Sequence, residues 1–259
     1  MRIALTGSRG FIGGRLREVL ESQGHIITEW DVELGKDIHD FQLNGEEYVI
    51  HLAAFADLRA SIDNAQAFWD NNVTPTTRIQ RMCYEAGVPL IYASSSCIHN
   101  WAASPYGISK KVNEETAMPG QVGLRFSTVY GPKARESMLV GRLVSGNIKY
   151  LTNHKRDFIH VDDVVGFIVL LMEKDLNTVE KAYDIGTSKG VIVSELGQAV
   201  GYQDLPVEDG DDCEADDNTL NIDPAKKLGW EPQLDVFDYV KSQKELYHQT
   251  VAINEELHH

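Results

Sequence analysis

Cysteine, positive charge and long apolar runs are all scarce in this sequence, and each shortage removes a class of function. The 3 cysteines, Cys83, Cys97 and Cys213, form no C-x-x-C pair and are odd in number, so neither a disulfide framework nor a zinc site is predicted. The 9 histidines are scattered, and no metal is expected. Lys and Arg number 24 against 39 Asp and Glu, a formal charge of −15, which argues against a protein that grips nucleic acid through its phosphates. No segment approaches the ~20 apolar residues of a membrane span. Met1-Arg2-Ile3-Ala4-Leu5-Thr6 reaches Gly7 too soon for a signal peptide, so a cytoplasmic chain with no membrane partner is expected. His258-His259 are natural residues or the remnant of a tag and are left out of the fold reading. The charge deficit also sets a condition: any anionic substrate must be held by a local cluster of Arg, Lys or backbone N–H groups.

What is present is an alternation of short β-branched runs with longer amphipathic stretches, the pattern of βαβ units. Strands are predicted near Arg2–Thr6, His25–Trp30, Tyr48–Leu52, Leu90–Ser94 and Val122–Phe126, with helices near Phe11–Gln23, Ala65–Ala86 and Pro105–Thr116. Further helices are predicted near Glu136–Val144, over Val161–Met172 and near Leu234–Tyr247. The expected architecture is α/β, a doubly wound parallel sheet of Rossmann type with a small C-terminal substrate-binding lobe. Residues 1–132 mainly form the dinucleotide-binding domain and 133–259 mainly the lobe, with 154–186 returning to the sheet. The acidic run from Glu208 to Asp217 lacks calcium-loop spacing and reads as a solvated loop rather than a cation site.

Gly7-Ser8-Arg9-Gly10-Phe11-Ile12-Gly13 follows the first strand and opens the first helix, where glycines permit a tight turn and backbone N–H groups can meet a pyrophosphate. Asp31 ends the second strand, 18 residues beyond Gly13, near the spacing of a carboxylate that takes the adenosine ribose hydroxyls, which favours NAD. Arg9 pulls the other way, since a guanidinium in that loop can pair with the 2′-phosphate of NADP. Tyr106 and Lys110 stand four residues apart, on one face of a helix. A phenol beside an ammonium suits proton transfer, and poising it near neutrality requires a downward shift of about three units. Ser94-Ser95-Ser96 ends a strand, where a hydroxyl can polarise a substrate oxygen.

These motifs, with Lys36-Asp37-Ile38, His51-Leu52-Ala53-Ala54, Asn71-Asn72-Val73, the stretch Leu124 to Pro132 and Arg156-Asp157-Phe158-Ile159-His160-Val161-Asp162-Asp163, come in a specific order. In that order the chain resembles the NAD-dependent epimerase/dehydratase family, the extended short-chain dehydrogenases that act on nucleotide sugars. The resemblance implies Ser95, Tyr106 and Lys110 as the catalytic set, with Ser96 open as the alternative hydroxyl. It implies that Asp37 and Ile38 flank the adenine, that Ala53 and Ala54 line the cofactor, and that Lys110 also holds the nicotinamide ribose. Thr128 and Arg156 fall where relatives contact the sugar nucleotide, Arg156 being suited to phosphate. A homodimer is implied too, through the helices Ala65–Ala86 and Pro105–Thr116.

There are departures from the family pattern. Tyr106 follows Ser95 by only eleven positions, the usual Tyr-Gly after the serines is His99-Asn100, and acids at Glu208-Asp209 replace a frequent arginine. The expected activity is that of a nucleotide-sugar 4-epimerase. An NADPH-dependent keto-sugar reductase and a non-catalytic nucleotide-sensing module are the alternatives. A 4,6-dehydratase ranks low, because Ser96-Cys97 or Cys97-Ile98 supplies no acid pair after the catalytic hydroxyl.

Overall fold

The computed structural model describes residues 1–211 and 213–256; Asp212 of the acidic run and the pair His258-His259 lie outside the described residues. The chain begins β1 (Arg2–Thr6), α1 (Phe11–Ser22), β2 (Ile26–Trp30), β3 (Tyr48–His51), α2 (Leu58–Asp63), α3 (Ala65–Asn72) and α4 (Thr74–Ala86). It continues through β4 (Leu90–Ser95), α5 (Pro105–Glu115), β5 (Gln121–Phe126), β6 (Thr128–Tyr130), α6 (Leu139–Ser145), β7 (Leu151–Thr152), β8 (Lys155–His160) and α7 (Val161–Met172). Last come β9 (Ala182–Ile185), β10 (Gly190–Ile192), α8 (Val193–Ala199), β11 (Val207–Glu208), α9 (Asp223–Lys226) and α10 (Val236–Glu256).

Six parallel strands form one sheet in the order β2-β1-β3-β4-β5-β9, a doubly wound α/β arrangement. Ile3, Ala4 and Leu5 of β1 are fully buried, because helices cover both faces of a parallel sheet and leave no polar side for alternation. The winding reverses between β1 and β3, which places a ligand crevice at the carboxyl ends of those strands. Beyond β2 the chain makes only short 3₁₀ turns at Val32–Leu34 and Ile38–Asp40, so β2 is the sheet edge.

A second, smaller core joins Tyr130, Leu143, Leu151, Phe158, Leu196 and Val240 around the three-stranded sheet β10-β8-β6. Asp157 on β8 pins this region: its fully buried carboxylate accepts from Thr187 N at 2.7 Å, Ser188 N at 3.0 Å and Leu220 N at 3.2 Å. These bonds satisfy the buried charge and draw the chain around residue 220 against β8.

The long helix predicted over Ala65–Ala86 is two helices, α3 and α4, preceded by the separate α2. Pro75 explains the break, since it lacks an N–H and its ring excludes the carbonyl four residues back. The helix expected near Glu136 starts at Leu139, and the last one extends to Glu256. α7 has the predicted bounds. It is apolar almost all round because α1 covers one side and Trp230, whose Nε1 donates to Asp163 O at 3.1 Å, closes another.

Candidate active site

The glycine loop joins β1 to α1, and steric demand explains its composition. Gly7 has φ 68°, in the left-handed region that favours glycine. A Cβ on Gly13 would stand 2.0 Å from Gly7 O, and one on Gly7 would stand 2.8 Å from Ala53 N. The loop therefore lies directly against the end of β3, where Ala53 and Ala54 sit. No side chain caps the N-terminus of α1, and the Ser8 hydroxyl is buried without a hydrogen-bond partner among the described residues. Free N–H groups, a positive helix end and an orphaned hydroxyl together suit a pyrophosphate.

Asp31, 9% exposed at the end of β2, accepts from Arg9 N at 2.9 Å and Glu33 N at 3.0 Å. Arg9 turns its guanidinium onto Glu29 at 2.9 Å. A 2′-phosphate here would meet two carboxylates and an arginine already paired. Phe11 and Ile12 begin α1 and pack on the main core, while Gly10 caps it. Asp37 caps the 3₁₀ turn through His39 N at 2.9 Å, and Ile38 beside it is buried. Below the loop, fully enclosed His51 bridges Thr6 Oγ1 at 2.7 Å and Thr76 Oγ1 at 2.8 Å. Burial pushes its imidazole down to about 3, so it is neutral at physiological pH.

α5 carries the phenol and the ammonium. Ser104 caps it by accepting from Gly107 N at 3.0 Å, and Pro105 at its first turn presets the helical φ. Gly107 lets the helix close on Trp101, whose carbonyl oxygen would stand 2.6 Å from a Cβ there. Tyr106 and Lys110 consequently point inward, 7% and 2% exposed. The Lys110 ammonium donates to Ala93 O at 2.9 Å and lies 5.8 Å from the centre of the Tyr106 ring. Burial brings Lys110 down to about 8.

Strand alternation separates the serines. Ser94 donates to Glu114 Oε1 at 2.6 Å on one side of β4, and Glu114 in turn binds Arg125 through both oxygens. Ser95 faces the other way, toward the Tyr106 phenol, and accepts from Cys97 N at 3.2 Å. Ser96 lies just beyond, on the wall of a cavity of about 310 Å³ shared with Cys97, His99, Ser104 and Arg156. The required downward shift of the phenol is not met by the chain alone. Burial pushes the Tyr106 phenol up, the Ser95 hydroxyl opposes this, and Lys110 is turned to a carbonyl.

Thr128, on β6 opposite Phe158, is not among the residues lining that cavity. Arg156 is, but its guanidinium is already engaged by Glu214 Oε2 at 2.8 Å, Ala215 O at 2.6 Å and His154 Nδ1 at 2.6 Å. The acidic run is thus not a solvated loop throughout. Glu214 also takes Arg59 at 2.8 Å. The pairing of Arg59 with Glu214 escaped the sequence reading because 155 positions separate the two and Arg59 belongs to no motif. His99 Nε2 lies 2.9 Å from Asp184 Oδ1.

Comparison with known proteins gives a match to the model of the NAD dependent epimerase/dehydratase family over residues 3–186. Protein CapI of Staphylococcus aureus is 28% identical, over 77% of this chain and 82% of that one. A putative UDP-glucose 4-epimerase of Methanocaldococcus jannaschii is 27% identical, over 92% of this chain and 96% of its own. Among solved structures, MoeE5 in complex with UDP-glucuronic acid and NAD is 25% identical with a TM-score of 0.82, covering 96% of this chain and 100% of MoeE5.

Proposed function

This chain belongs to the NAD dependent epimerase/dehydratase family, and from that premise we propose that it is an NAD-dependent nucleotide-sugar 4-epimerase. The observation that carries the reading is the inward-facing group of Ser95, Tyr106 and Lys110 at the end of β4, on the same rim of the sheet as the glycine loop. NAD rather than NADP fits the loop, because Asp31 and Glu29 line the place of a 2′-phosphate and Arg9 is paired with Glu29.

Gly7, Gly10 and Gly13 admit the pyrophosphate, with Arg9, Phe11 and Ile12 completing the turn. Asp31 takes the adenosine ribose, Asp37 and Ile38 flank the adenine, and Ala53 and Ala54 form the wall beside the loop. When bound, NAD would supply hydride exchange with the sugar carbon and further positive charge beside the buried phenol. Tyr106 takes the proton of the sugar hydroxyl and later returns it, while Ser95 donates a hydrogen bond to the same oxygen. Lys110 holds the nicotinamide ribose and keeps the field at the phenol positive. Ser96, Thr128 and Arg156 serve the sugar nucleotide. The protein works in the cytoplasm as a homodimer, pairing through α3 and α4 together with α5; a monomeric mass by light scattering at micromolar concentration would remove the dimer.

The test is incubation with UDP- and dTDP-hexoses plus NAD, following product sugars and the absorbance of reduced nicotinamide. Interconversion without net reduced cofactor is expected. Stoichiometric consumption of a reduced cofactor would identify a keto-sugar reductase instead, and tight NAD binding without any conversion would identify a non-catalytic module.

A further inference from the structure

Two arginines from distant parts of the chain share one carboxylate. Arg59, at the start of α2, donates from Nε to Glu214 Oε1 at 2.8 Å, and Arg156, on β8, donates to Glu214 Oε2 at 2.8 Å. Each oxygen thus receives one guanidinium, the pattern in which a phosphate is held between two arginines. Arg156 and Glu214 both line the cavity of about 310 Å³ that Ser96 and Ser104 reach from the catalytic side, and Arg59, half-exposed, meets Glu214 from the solvent side. Asp211 adds a second negative charge 3.5 Å from Arg59, and His154 lies 3.5 Å from the Glu214 carboxylate.

In a chain of formal charge −15, an anion can be retained only where positive charge is gathered locally, and this arginine pair is such a place. Glu214 fills it with the chain's own anion. The arginines hold its carboxyl below the usual range against the opposing effect of burial, so protonation does not release it at neutral pH.

We propose that Glu214 is a specificity-determining residue that acts as an internal competitor, occupying the anion position between Arg59 and Arg156, so that a phosphate or diphosphate group binds there by displacing it. The identity of the anion as part of a sugar nucleotide rests on the 4-epimerase reading; the competition itself does not. Affinity for anions at this position is then set by how firmly the arginines hold Glu214.

The experiment compares the wild-type full chain with Glu214→Gln, titrating inorganic pyrophosphate and, separately, UDP by calorimetry. Glutamine keeps the shape and one acceptor oxygen while removing the charge. The expected result is about tenfold tighter binding of both probes in the variant, with the gain abolished in Glu214→Gln combined with Arg156→Gln. Unchanged or weaker binding in Glu214→Gln would overturn the proposal, because it would mean that Glu214 orients the arginines rather than competing for them. A gain that survives Arg156→Gln would overturn it as well. Should Glu214→Gln melt early, Glu214→Ala read at low temperature carries the same two outcomes. If pyrophosphate tightens and no sugar is converted, the competitor stands and the epimerase reading fails; if sugars interconvert and pyrophosphate binding is unchanged, only the competitor fails.

Discussion

Replacing Gly13 with alanine should abolish useful NAD binding while leaving the chain folded. The added Cβ would lie 2.0 Å from Gly7 O, 2.8 Å from Gly7 C and 3.2 Å from Ser8 Cα, all backbone, so no side chain can rotate away. Relief needs the Gly7-Ser8 peptide to retreat by about 1 Å, in a loop where Gly7 O also accepts from Gly10 N. That motion misdirects the N–H groups that face the pyrophosphate. Losing two charge-assisted hydrogen bonds costs about 3 kcal/mol in total, or roughly a hundredfold in affinity. The neighbouring Gly14→Ala is the control: its Cβ would meet only Ser8 O at 3.7 Å, an ordinary contact. Alanine there gains up to ~1 kcal/mol of helix stability and should leave NAD affinity within about a factor of two. Calorimetric titration of NAD into both variants, with thermal melting of each, makes the measurement. A folded Gly13→Ala chain that binds NAD within about threefold of the wild type would refute the placement of the cofactor on this loop.

Tyr106→Phe should lower the rate of sugar conversion by about 10²–10⁴ while NAD affinity changes little; an unaffected activity would end the enzymatic reading. His51 is neutral and buried, with its imidazole at about 3 against an ordinary 6.5, so on acidification the unfolded chain takes up the proton first. Its contribution to stability therefore falls from pH 6.5 downward, by up to about 1.4 kcal/mol per unit, and urea midpoints between pH 6.5 and 5 should fall less steeply in His51→Gln. Lys110 sits at about 8 against 10.5, so between these values the unfolded chain holds the proton more firmly and the stability contribution of Lys110 rises with pH. The stability of Lys110→Met relative to wild type should accordingly decline across that window, by at most about 3 kcal/mol; a difference constant with pH would show that Lys110 holds its proton in the folded chain as firmly as in the unfolded one, and would refute the effect of its burial.

The parallel sheet and its connections were legible because each depends on short-range patterning. Ile3, Ala4 and Leu5 of β1 read as an apolar run since both faces of the strand are covered, and α7 ends where its apolar run does. The glycine loop was legible for a similarly local reason: Gly7 and Gly13 lie six positions apart and meet directly in space. Pro75 was a local signal for the break between α3 and α4, and the long amphipathic pattern on either side obscured it. The acidic run was misread in part, because composition reports net repulsion from solvent-facing charge and carries no information about which single carboxylate finds a distant arginine.

Sequence alone determined the α/β architecture, the family and the place of the glycine loop, which follow from periodicity, ordered motifs and steric necessity, and it supplied the residues proposed here as the catalytic set. Tertiary structure decided the rest. Alternation along β4 turned Ser94 to Glu114 and left Ser95 beside Tyr106, and the enclosure of α5 pushed the phenol up instead of down. Packing of β8 against the chain that follows Cys213 brought Glu214 between Arg59 and Arg156. Each of these depends on which groups lose water and which distant charges replace it, and desolvation and Coulomb energy are set by positions in space that chain order does not encode locally.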